Sequence, residues 1–316
     1  LVTGASGFIG CHLSRRLLDQ ESELHTTSRS KLPSPPRGPY WWQVDMADVT
    51  AVRKLISKVK PDVIFHLSGM VGAAPDPEFV LPTFHTLLMS TVNLLTATKE
   101  IGCRRIVLVA SLTEPRPSHA EVTPSSPYAA AKWAGSAYGR MFYALYGTPT
   151  VIVRPYMVYG PGQDSRKLIP SVILSLLRGE PPKLSSGRWE PDWIYIDDVI
   201  DGFLAAALAS QVEGTTIDLG SGVLVKVCTV VQGLVEATGS DLQPLFGALP
   251  DRPFEQVRAA DTNAAYLSLG WKSSTSLESG LQRTVTWYKS QLDESSSSKP
   301  LARLLPPKLK SVHRIE

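Results

Sequence analysis

Two hydrophobic patterns alternate along this 316-residue chain. Short continuous apolar runs, such as VIFHL at 63–67 and RIVLVA at 105–110, are typical of strands buried on both faces of a parallel sheet. The predicted strands cover residues 23–28, 40–44, 63–67, 105–110, 150–154 and 215–219. Apolar positions three or four residues apart predict helices at 8–19, 48–59, 84–99, 128–145, 168–178, 197–209, 227–238 and 277–292. Strands that alternate with helices predict an α/β fold with right-handed crossovers.

The first ten residues, LVTGASGFIG, place a glycine turn between a strand and a helix. Gly4 would permit the tight turn, Gly7 would let a pyrophosphate approach the backbone, and Gly10 would allow close packing of helix on strand. The helix N-terminus supplies N–H groups and a positive dipole end for a phosphate. The spacing is a variant of the dinucleotide fingerprint. An ordinary glycine turn is the alternative, which the placement between strand and helix disfavours.

The end of the second predicted strand bears on the choice of cofactor. In a dinucleotide fold this point faces the adenosine ribose, where an acid suits a 2′-hydroxyl and an arginine suits a 2′-phosphate. Ser28 stands at the position expected for the acid, and Arg29 follows it. The sequence therefore predicts NADP(H) in preference to NAD(H), with Arg29 as a solvated loop residue as the alternative. Asp45, after the third strand, lies where it could meet the adenine amine.

A candidate catalytic segment follows the strand at 105–110. Ser111 and Thr113 leave this strand at its carboxyl end, the edge where open α/β sheets bind ligands. Further on, Ser126 and a proline are good opening residues for a helix on which Tyr128 and Lys132 share one face. An ammonium beside a phenol lowers the pKa of the phenol, so Tyr128 is a candidate acid and base. A surface helix pair is the alternative, and the order of the surrounding elements favours catalysis.

Composition and charge exclude several classes of function and of binding partner. The chain is 43% hydrophobic and 19% charged, with a formal net charge of +3, which gives no case for a nucleic-acid partner. No uninterrupted apolar run approaches the ~20 residues of a membrane span, so no membrane association is expected. Three separated cysteines and unclustered histidines predict no metal site and favour a reduced, cytoplasmic location. His66 is predicted to be a hydrogen-bonded residue at a strand end rather than a base.

Motifs along most of the chain carry a family resemblance. They are TGASGFIG, FHLSG, SPYAAAK, VRPYMVYGPGQ, DWIYIDDVIDG, IDLGSG, ADTNAAYLSLGW and SLESGLQRTVTWY. In this order they resemble the extended short-chain dehydrogenase/reductases, specifically the NAD(P)-dependent nucleotide-sugar epimerase/dehydratase group. The resemblance implies a Rossmann-like doubly wound parallel sheet with a smaller C-terminal substrate-binding lobe. It also implies a nucleoside-diphosphate sugar as substrate, the Tyr128–Lys132 pair as acid/base machinery, and a homodimer through the helices at 84–99 and 128–145.

The resemblance also predicts a domain division and sets of site residues. Residues 1–155 would bind NAD(P) and carry the Tyr–Lys pair, 156–292 would mostly form the substrate lobe with some segments returning to the core, and 293–316 would be a flexible basic tail. The predicted cofactor-binding residues are Gly4, Ser6, Gly7, Phe8, Ile9, Gly10, Ser28, Arg29, Asp45, Met46, Leu67, Ser68, Tyr128, Lys132 and Pro155. Arg252 is expected on the pyrophosphate, Arg188 as a second phosphate contact, and Thr113 on the substrate.

Departures from the family pattern limit the predicted reaction. The family's dehydratases resemble Thr-Asp-Glu where this chain has Leu112, Thr113 and Glu114, and the missing Asp weighs against 4,6-dehydration. Either Ser111 or Thr113 could be the catalytic hydroxyl, with Thr113 slightly favoured. Hydride exchange at the sugar C4 is expected, as epimerisation or as net ketone reduction. The alternatives are a 4,6-dehydratase that uses Glu114, and a non-catalytic NADP-binding regulator on the same fold.

Overall fold

The structure of this chain is a computed structural model that describes residues 1–32, 38–72, 74–115, 122–251 and 256–297. The strands are β1 Val2–Thr3, β2 His25–Ser28, β3 Tyr40–Gln43, β4 Val63–His66, β5 Arg105–Val109, β6 Thr150–Pro155, β7 Met157–Tyr159, β8 Trp193–Tyr195 and β9 Thr216–Leu219. The helices are α1 Phe8–Asp19, α2 Val49–Val59, α3 Val80–Thr83, α4 Ser90–Ile101, α5 Pro127–Tyr146, α6 Leu168–Leu177, α7 Ile196–Leu208, α8 Val227–Thr238, α9 Thr262–Leu269 and α10 Leu277–Ser297.

The main sheet has the strand order β3-β2-β1-β4-β5-β6-β9, and every neighbouring pair in it is parallel. The chain moves outward from β1 to β3 and then returns to the other side of β1 with β4. This reversal makes a doubly wound sheet, whose ligand crevice lies outside the carboxyl ends of β1 and β4. The predicted Rossmann-like fold is therefore confirmed.

Apolar side chains fill both faces of this sheet. Along β5, Ile106 and Leu108 belong to one core and Val107 belongs to the other, because successive strand residues point to opposite faces. Helices on both sides therefore require the continuous apolar runs that the sequence contains. Local signals also set the helix bounds: the Asp48 carboxylate accepts hydrogen bonds from the first turn of α2, which ends at Lys60 before a proline.

The C-terminal part adds a second, smaller sheet in which β7 pairs with β8. The sequence did not predict these three-residue strands, nor α9. The predicted division at residue 155 falls between β6 and β7, and β9, from the later part of the chain, belongs to the main sheet. Tyr159 and Trp193 share one apolar core with Val2 and Val153, so both parts pack together. The closing helix α10 continues to Ser297 instead of ending at 292, and 298–316 lie outside the described residues.

The predicted helix at 84–99 is longer and more irregular in the structure. A 3₁₀ turn at Pro77–Phe79, then α3, a π-helical stretch at Phe84–Met89 and α4 follow without a break. By length and composition alone, Pro77–Ile101 would suffice to cross a membrane. Here it packs against α2 and α5, and five of its polar side chains lie buried in the protein. They are Thr83, Ser90, Thr91, Asn93 and Thr98.

Candidate active site

The glycine turn between β1 and α1 is built on two glycines that the fold itself requires. Gly4 has a φ of +68°, and a Cβ there would lie 2.8 Å from the backbone of Leu67 and Ser68. A Cβ on Gly10 would collide with the carbonyl oxygen of Gly4. These contacts bring α1 close to the ends of β1 and β4, at the crevice of the sheet.

Gly7 has a different role, because the surrounding protein leaves room for a side chain there. It is exposed at the N-cap of α1, and a Cβ would meet only the Gly4 carbonyl oxygen, at 3.3 Å. Within the described ranges, no side chain caps α1 and no acid stands in its first turn. Its first N–H groups therefore face outward at a positive helix end, which fits the pyrophosphate of a dinucleotide.

Other residues predicted to bind the cofactor lie at neighbouring strand ends. The backbone N–H groups of Leu67 and Ser68 donate to Thr3 Oγ1, at 3.1 and 3.2 Å, beside the glycine turn. Pro155 is buried at the end of β6. The Met46 side chain belongs to a core cluster, so only its backbone remains for a ligand.

The first turn of α1 holds the remaining predicted cofactor residues. Phe8 and Ile9 pack partly against the larger core, and Ser6 is half-buried in the turn. The ring of Phe8 stands edge-on to the ring of His12, which lies one turn further along α1. The side chains of Phe8 and Ile9 therefore pack α1 against the core, and their backbone lines the glycine turn.

Ser28, Arg29 and Asp45 come together at the ends of β2 and β3. The Val44 N–H donates to the Ser28 carbonyl oxygen at 2.9 Å, which brings the chain entering Asp45 beside the end of β2. Ser28 Oγ accepts from the Ser30 N–H at 3.2 Å, while Arg29 and Asp45 are exposed. The site thus presents an arginine and a carboxylate, which would act in opposite directions on a 2′-phosphate.

The catalytic segment meets the start of α5 as the sequence predicted. Ser126 Oγ accepts from the Ala129 N–H at 3.2 Å, and Pro127 is the first helical residue. The side chains of Ser111 and Tyr128 are joined by a hydrogen bond between their hydroxyl groups. Thr113 Oγ1 lies 2.9 Å from Ser111 Oγ. Of the two candidate hydroxyls, Ser111 contacts the phenol, and Thr113 contacts Ser111.

The protonation of the Tyr128–Lys132 pair differs from the sequence-based expectation. Burial raises the pKa of Tyr128, and the Ser111 hydrogen bond offsets only part of this effect. Lys132 Nζ donates to the Val109 carbonyl oxygen at 2.8 Å, so the ammonium is directed at β5. Burial lowers the pKa of Lys132 to about 8, against the attraction of Glu114. The sequence predicted a lowered pKa for Tyr128, and the structure gives a raised one, because burial is the largest effect on the phenol.

Glu114 lies beneath the site, with only 1% of the residue exposed. One carboxylate oxygen accepts from the Ser111 N–H at 2.9 Å and from Ser136 Oγ at 3.0 Å. The other lies 3.8 Å from Nη2 of Arg154. The Glu114 carboxylate is thus held by neighbouring residues of the protein and is not exposed in the crevice.

The predicted phosphate contacts lie in the C-terminal part. The Arg188 side chain is exposed, its Nε donates to Ser186 Oγ at 3.2 Å, and its Nη2 lies 3.6 Å from Asp251. Arg252 falls outside the described residues. Arg188 is thus held in a loop from which its guanidinium remains accessible.

A buried charge cluster next to Glu114 was missed by the sequence analysis. Arg154 Nη1 donates to Asp218 at 2.8 Å, and Asp218 also accepts from the Tyr156 hydroxyl at 2.8 Å. Arg258 Nη2 lies 3.7 Å from the same carboxylate, and the cluster borders a cavity of about 390 Å³. The sequence feature that could have revealed this cluster was Arg154, a charged residue within an otherwise apolar strand.

Comparisons with known proteins agree with this geometry. A family model described as "NAD dependent epimerase/dehydratase family" matches residues 1–220. The chain belongs to this family.

Relatives with two different activities lie at similar distances within the family. The chain is 27% identical to a dTDP-glucose 4,6-dehydratase of Haemophilus influenzae, over 94% of this chain and 99% of the relative. It is 29% identical to a UDP-glucose 4-epimerase of Mycolicibacterium smegmatis, over 92% and 98%. A UDP-glucuronic acid 4-epimerase of Bacillus cereus, solved with UDP-glucuronic acid and NAD, superimposes with a TM-score of 0.80 at 26% identity, over 92% and 98%.

These relatives bear on the cofactor as well. The family is NAD-dependent, and the solved Bacillus cereus relative holds NAD. They give no support to the preference for NADP(H) expected from Ser28 and Arg29, which stays a prediction. The relatives named above act on nucleotide sugars, in agreement with the expected substrate class.

Proposed function

We propose that this chain is an NAD(P)-dependent enzyme that exchanges hydride at C4 of a nucleoside-diphosphate sugar, with redox-neutral 4-epimerisation as its net reaction. The observation that carries the proposal is the hydrogen bond between Ser111 and the Tyr128 hydroxyl, with Lys132 one helical turn further on. These groups lie at the carboxyl edge of the sheet, where the glycine turn also opens.

Each residue has a defined task in this scheme. Tyr128 takes the proton from the sugar 4-hydroxyl and later returns it, and Ser111 donates to the same oxygen and orients it. Lys132 contributes a positive charge that favours the phenolate. A bound nicotinamide supplies the hydride acceptor and donor. In epimerisation, the 4-keto sugar receives the hydride on its opposite face and Tyr128 restores the hydroxyl.

The arrangement of Glu114 favours hydride exchange over 4,6-dehydration. Loss of water requires further acid and base groups that touch the sugar. Glu114 is buried and bonded to Ser111, Ser136 and Arg154, and Thr113 stands where the dehydratases have an acid. The chain therefore offers no carboxylate for this step in the described part of its catalytic segment.

Net ketone reduction is the second candidate, and one observation favours it. Because burial raises the pKa of Tyr128, the phenol is protonated near neutral pH. A protonated phenol is the form that donates a proton to the oxygen of a 4-keto sugar as hydride arrives. Arg29 at the ribose position would suit NADP(H), the cofactor that we predicted from the sequence.

Two arginines are proposed for the diphosphate of the substrate. Arg188 is accessible in its loop, and Arg252 is assigned by the resemblance. An arginine fork binds phosphate oxygens in pairs. The division into a cofactor part, 1–155, and a mostly substrate-binding part, 156–292, follows the same assignment.

A homodimer is proposed through α5 and the stretch that contains α3. Leu81 and Phe84 are exposed beside α5, on which Tyr138 and Leu145 are also exposed seven residues apart and thus on one face. Exposed apolar side chains on two elements that pack side by side are of the kind that marks an interface. Leu87 and Phe142, which lie on the two helices predicted for this contact, are buried within the protomer.

The proposed reaction is tested with a small panel of probes. The purified protein is incubated with UDP-glucose, UDP-glucuronic acid and dTDP-glucose, each with NAD or NADP, and the sugars are followed by proton NMR. We expect a C4 epimer from at least one probe. NADPH oxidation with 4-keto sugar nucleotides tests the second candidate. Bound cofactor with no sugar conversion in either assay would indicate the non-catalytic regulator instead.

A further inference from the structure

Glu114 is buried directly behind the catalytic groups, yet the scheme above gives it no task. Its neighbours come from three different elements. Ser111 follows β5, Ser136 lies on α5, and Arg154 lies on β6. A buried carboxylate is stable only when donors and positive charge compensate it, so these contacts fix their elements to one another.

We propose that Glu114 is a positioning residue: its carboxylate ties the Ser111 backbone to the helix that carries Tyr128 and Lys132, and places a buried negative charge beside that helix. This inference rests on the proposed function, because it assigns Glu114 a role in the same site.

Glu114 fixes the position of Ser111 relative to α5. One Glu114 oxygen holds both the Ser111 N–H, at 2.9 Å, and Ser136 Oγ, at 3.0 Å. Ser136 follows Lys132 by four residues, so both side chains lie on the same face of α5. A single carboxylate oxygen thus sets the distance between the serine that contacts Tyr128 and the helix that presents Tyr128. A shift of about 1 Å between such groups can cost on the order of 10²-fold in rate.

Several titratable and charged groups surround Lys132. They are Glu114 after β5, Tyr128 on the same helix and His66 at the end of β4, with Arg154 of β6 behind Glu114. A cavity of about 10 Å³, the size of one water molecule, lies between His66, Lys132 and Ser136. His66 is neutral at working pH, since burial lowers its pKa to about 3. The phenol of Tyr128 is also neutral, which leaves Glu114 as the anion that acts on Lys132 among these groups.

The decisive experiment measures the protonation of Lys132 without any substrate. The full chain is labelled with ¹³C at the lysine Cε atoms, and the Lys132 signal, assigned with Lys132→Arg, is titrated by NMR. In the wild type we expect a pKa of about 8. In Glu114→Gln, which keeps the shape and removes the charge, the Lys132 pKa should fall below the wild-type value. Ser136→Ala, which removes a hydrogen bond and keeps the charge, should leave it near the wild-type value.

Activity gives the second measurement. Because the ammonium must be protonated to favour the phenolate, kcat falls as pH rises through the Lys132 pKa. This fall should come at a lower pH in Glu114→Gln than in the wild type. Glu114→Asp keeps the charge but is too short to hold Ser111 and Ser136 together. It should titrate like the wild type while its kcat falls about tenfold with little change in KM.

Specific results would overturn the inference. A Lys132 titration in Glu114→Gln that coincides with the wild type would remove the electrostatic role. If Glu114→Gln does not fold, Glu114→Asp decides, and full kcat in that variant would remove the positioning role. The NMR titration needs no turnover. Suppose that Glu114→Gln shifts the Lys132 pKa but the protein converts no nucleotide sugar. That result would contradict the proposed function and would still support the effect of the Glu114 charge on Lys132.

Discussion

Ser111 and Tyr128 meet across the gap between the end of β5 and the first turn of α5, where a hydrogen bond joins the serine hydroxyl and the phenol. Thr113 lies behind this pair, with its Oγ1 2.9 Å from Ser111 Oγ. The two hydroxyls that the sequence left open therefore occupy different positions. The Ser111 hydroxyl contacts the phenol of Tyr128, and the Thr113 hydroxyl contacts Ser111.

A matched pair of variants distinguishes the contributions of the Ser111 and Thr113 hydroxyls to kcat. We predict that Ser111→Ala lowers kcat by at least tenfold, because it removes a hydrogen bond to the reacting oxygen. Thr113→Val, which removes only the supporting hydroxyl, should cost less than about threefold in kcat. Steady-state kinetics on both variants, with folding checked by circular dichroism, makes the comparison. A larger loss in Thr113→Val than in Ser111→Ala would reverse the assignment.

The stability of the fold should depend on pH through His66. Thr3 Oγ1 accepts from two backbone N–H groups and donates to His66 Nδ1, at 2.9 Å, so the buried ring is neutral. Its pKa is lowered to about 3, whereas the unfolded chain takes up this proton near pH 6.5. The stabilising contribution is therefore complete above pH 6.5 and is lost as pH falls from there towards 3.

Urea unfolding measures this contribution. Between pH 7 and pH 5 the free energy of unfolding of the wild type should fall by about 2 kcal/mol more than that of His66→Gln, which cannot take up a proton. His85→Gln, at an exposed histidine, is the control and should follow the wild type. Equal pH dependence in all three proteins would show that His66 titrates normally in the folded state.

Cofactor preference is predicted to depend on the two opposed charges beside Ser28. Arg29 should favour the 2′-phosphate of NADP by roughly tenfold to a hundredfold, as expected for hydrogen bonds to a charged group of ~1.5–3 kcal/mol. Arg29→Ala should abolish this preference, and Asp45→Asn should increase it by removing a negative charge. Calorimetric titration of both cofactors makes the measurement. Tighter binding of NAD to the wild type, with no change in Arg29→Ala, would refute the NADP(H) prediction.

The apolar surface on α3 and α5 predicts a dimer in solution. Leu145 is 67% exposed on α5 within that surface, and Leu208 is 71% exposed at the end of α7, away from it. Light scattering at micromolar concentration should give a dimer for the wild type and Leu208→Arg, and a monomer for Leu145→Arg. A monomeric wild type, or a dimer that tolerates Leu145→Arg, would place the contact elsewhere or exclude it.

The sequence was most informative where a local pattern determines a local structure. The apolar run at 105–110 predicted β5 because both faces of that strand are covered, and Ser126 with Pro127 predicted the start of α5 because capping is a local interaction. Glu114 could not be interpreted in this way, since its partners Ser136 and Arg154 come near only in the folded chain. The raised pKa of Tyr128 was missed for the same reason, because burial is a property of the tertiary structure.

The short second sheet illustrates the same limit in the fold. Strands β7 and β8 contain three residues each, and they pair across a long stretch of intervening chain. So short a stretch has no periodicity to detect, and its partner lies far away in the sequence. Arg188 was predicted from the family resemblance to contact a phosphate of the substrate. The structure places its exposed side chain beside Asp251, and the phosphate contact stays a prediction.

Transfer of deuterium from C4 of the sugar tests the central claim most directly. UDP-glucose, UDP-glucuronic acid and dTDP-glucose, each deuterated at C4, are incubated with the protein and cofactor, and the sugars are analysed by NMR and mass spectrometry. Hydride exchange through Tyr128 predicts a C4 epimer that keeps its deuterium at C4. Tyr128→Phe should bind cofactor normally and lose at least tenfold in rate. Solvent hydrogen at C5 with loss of water, or conversion that Tyr128→Phe leaves unchanged, would contradict the account.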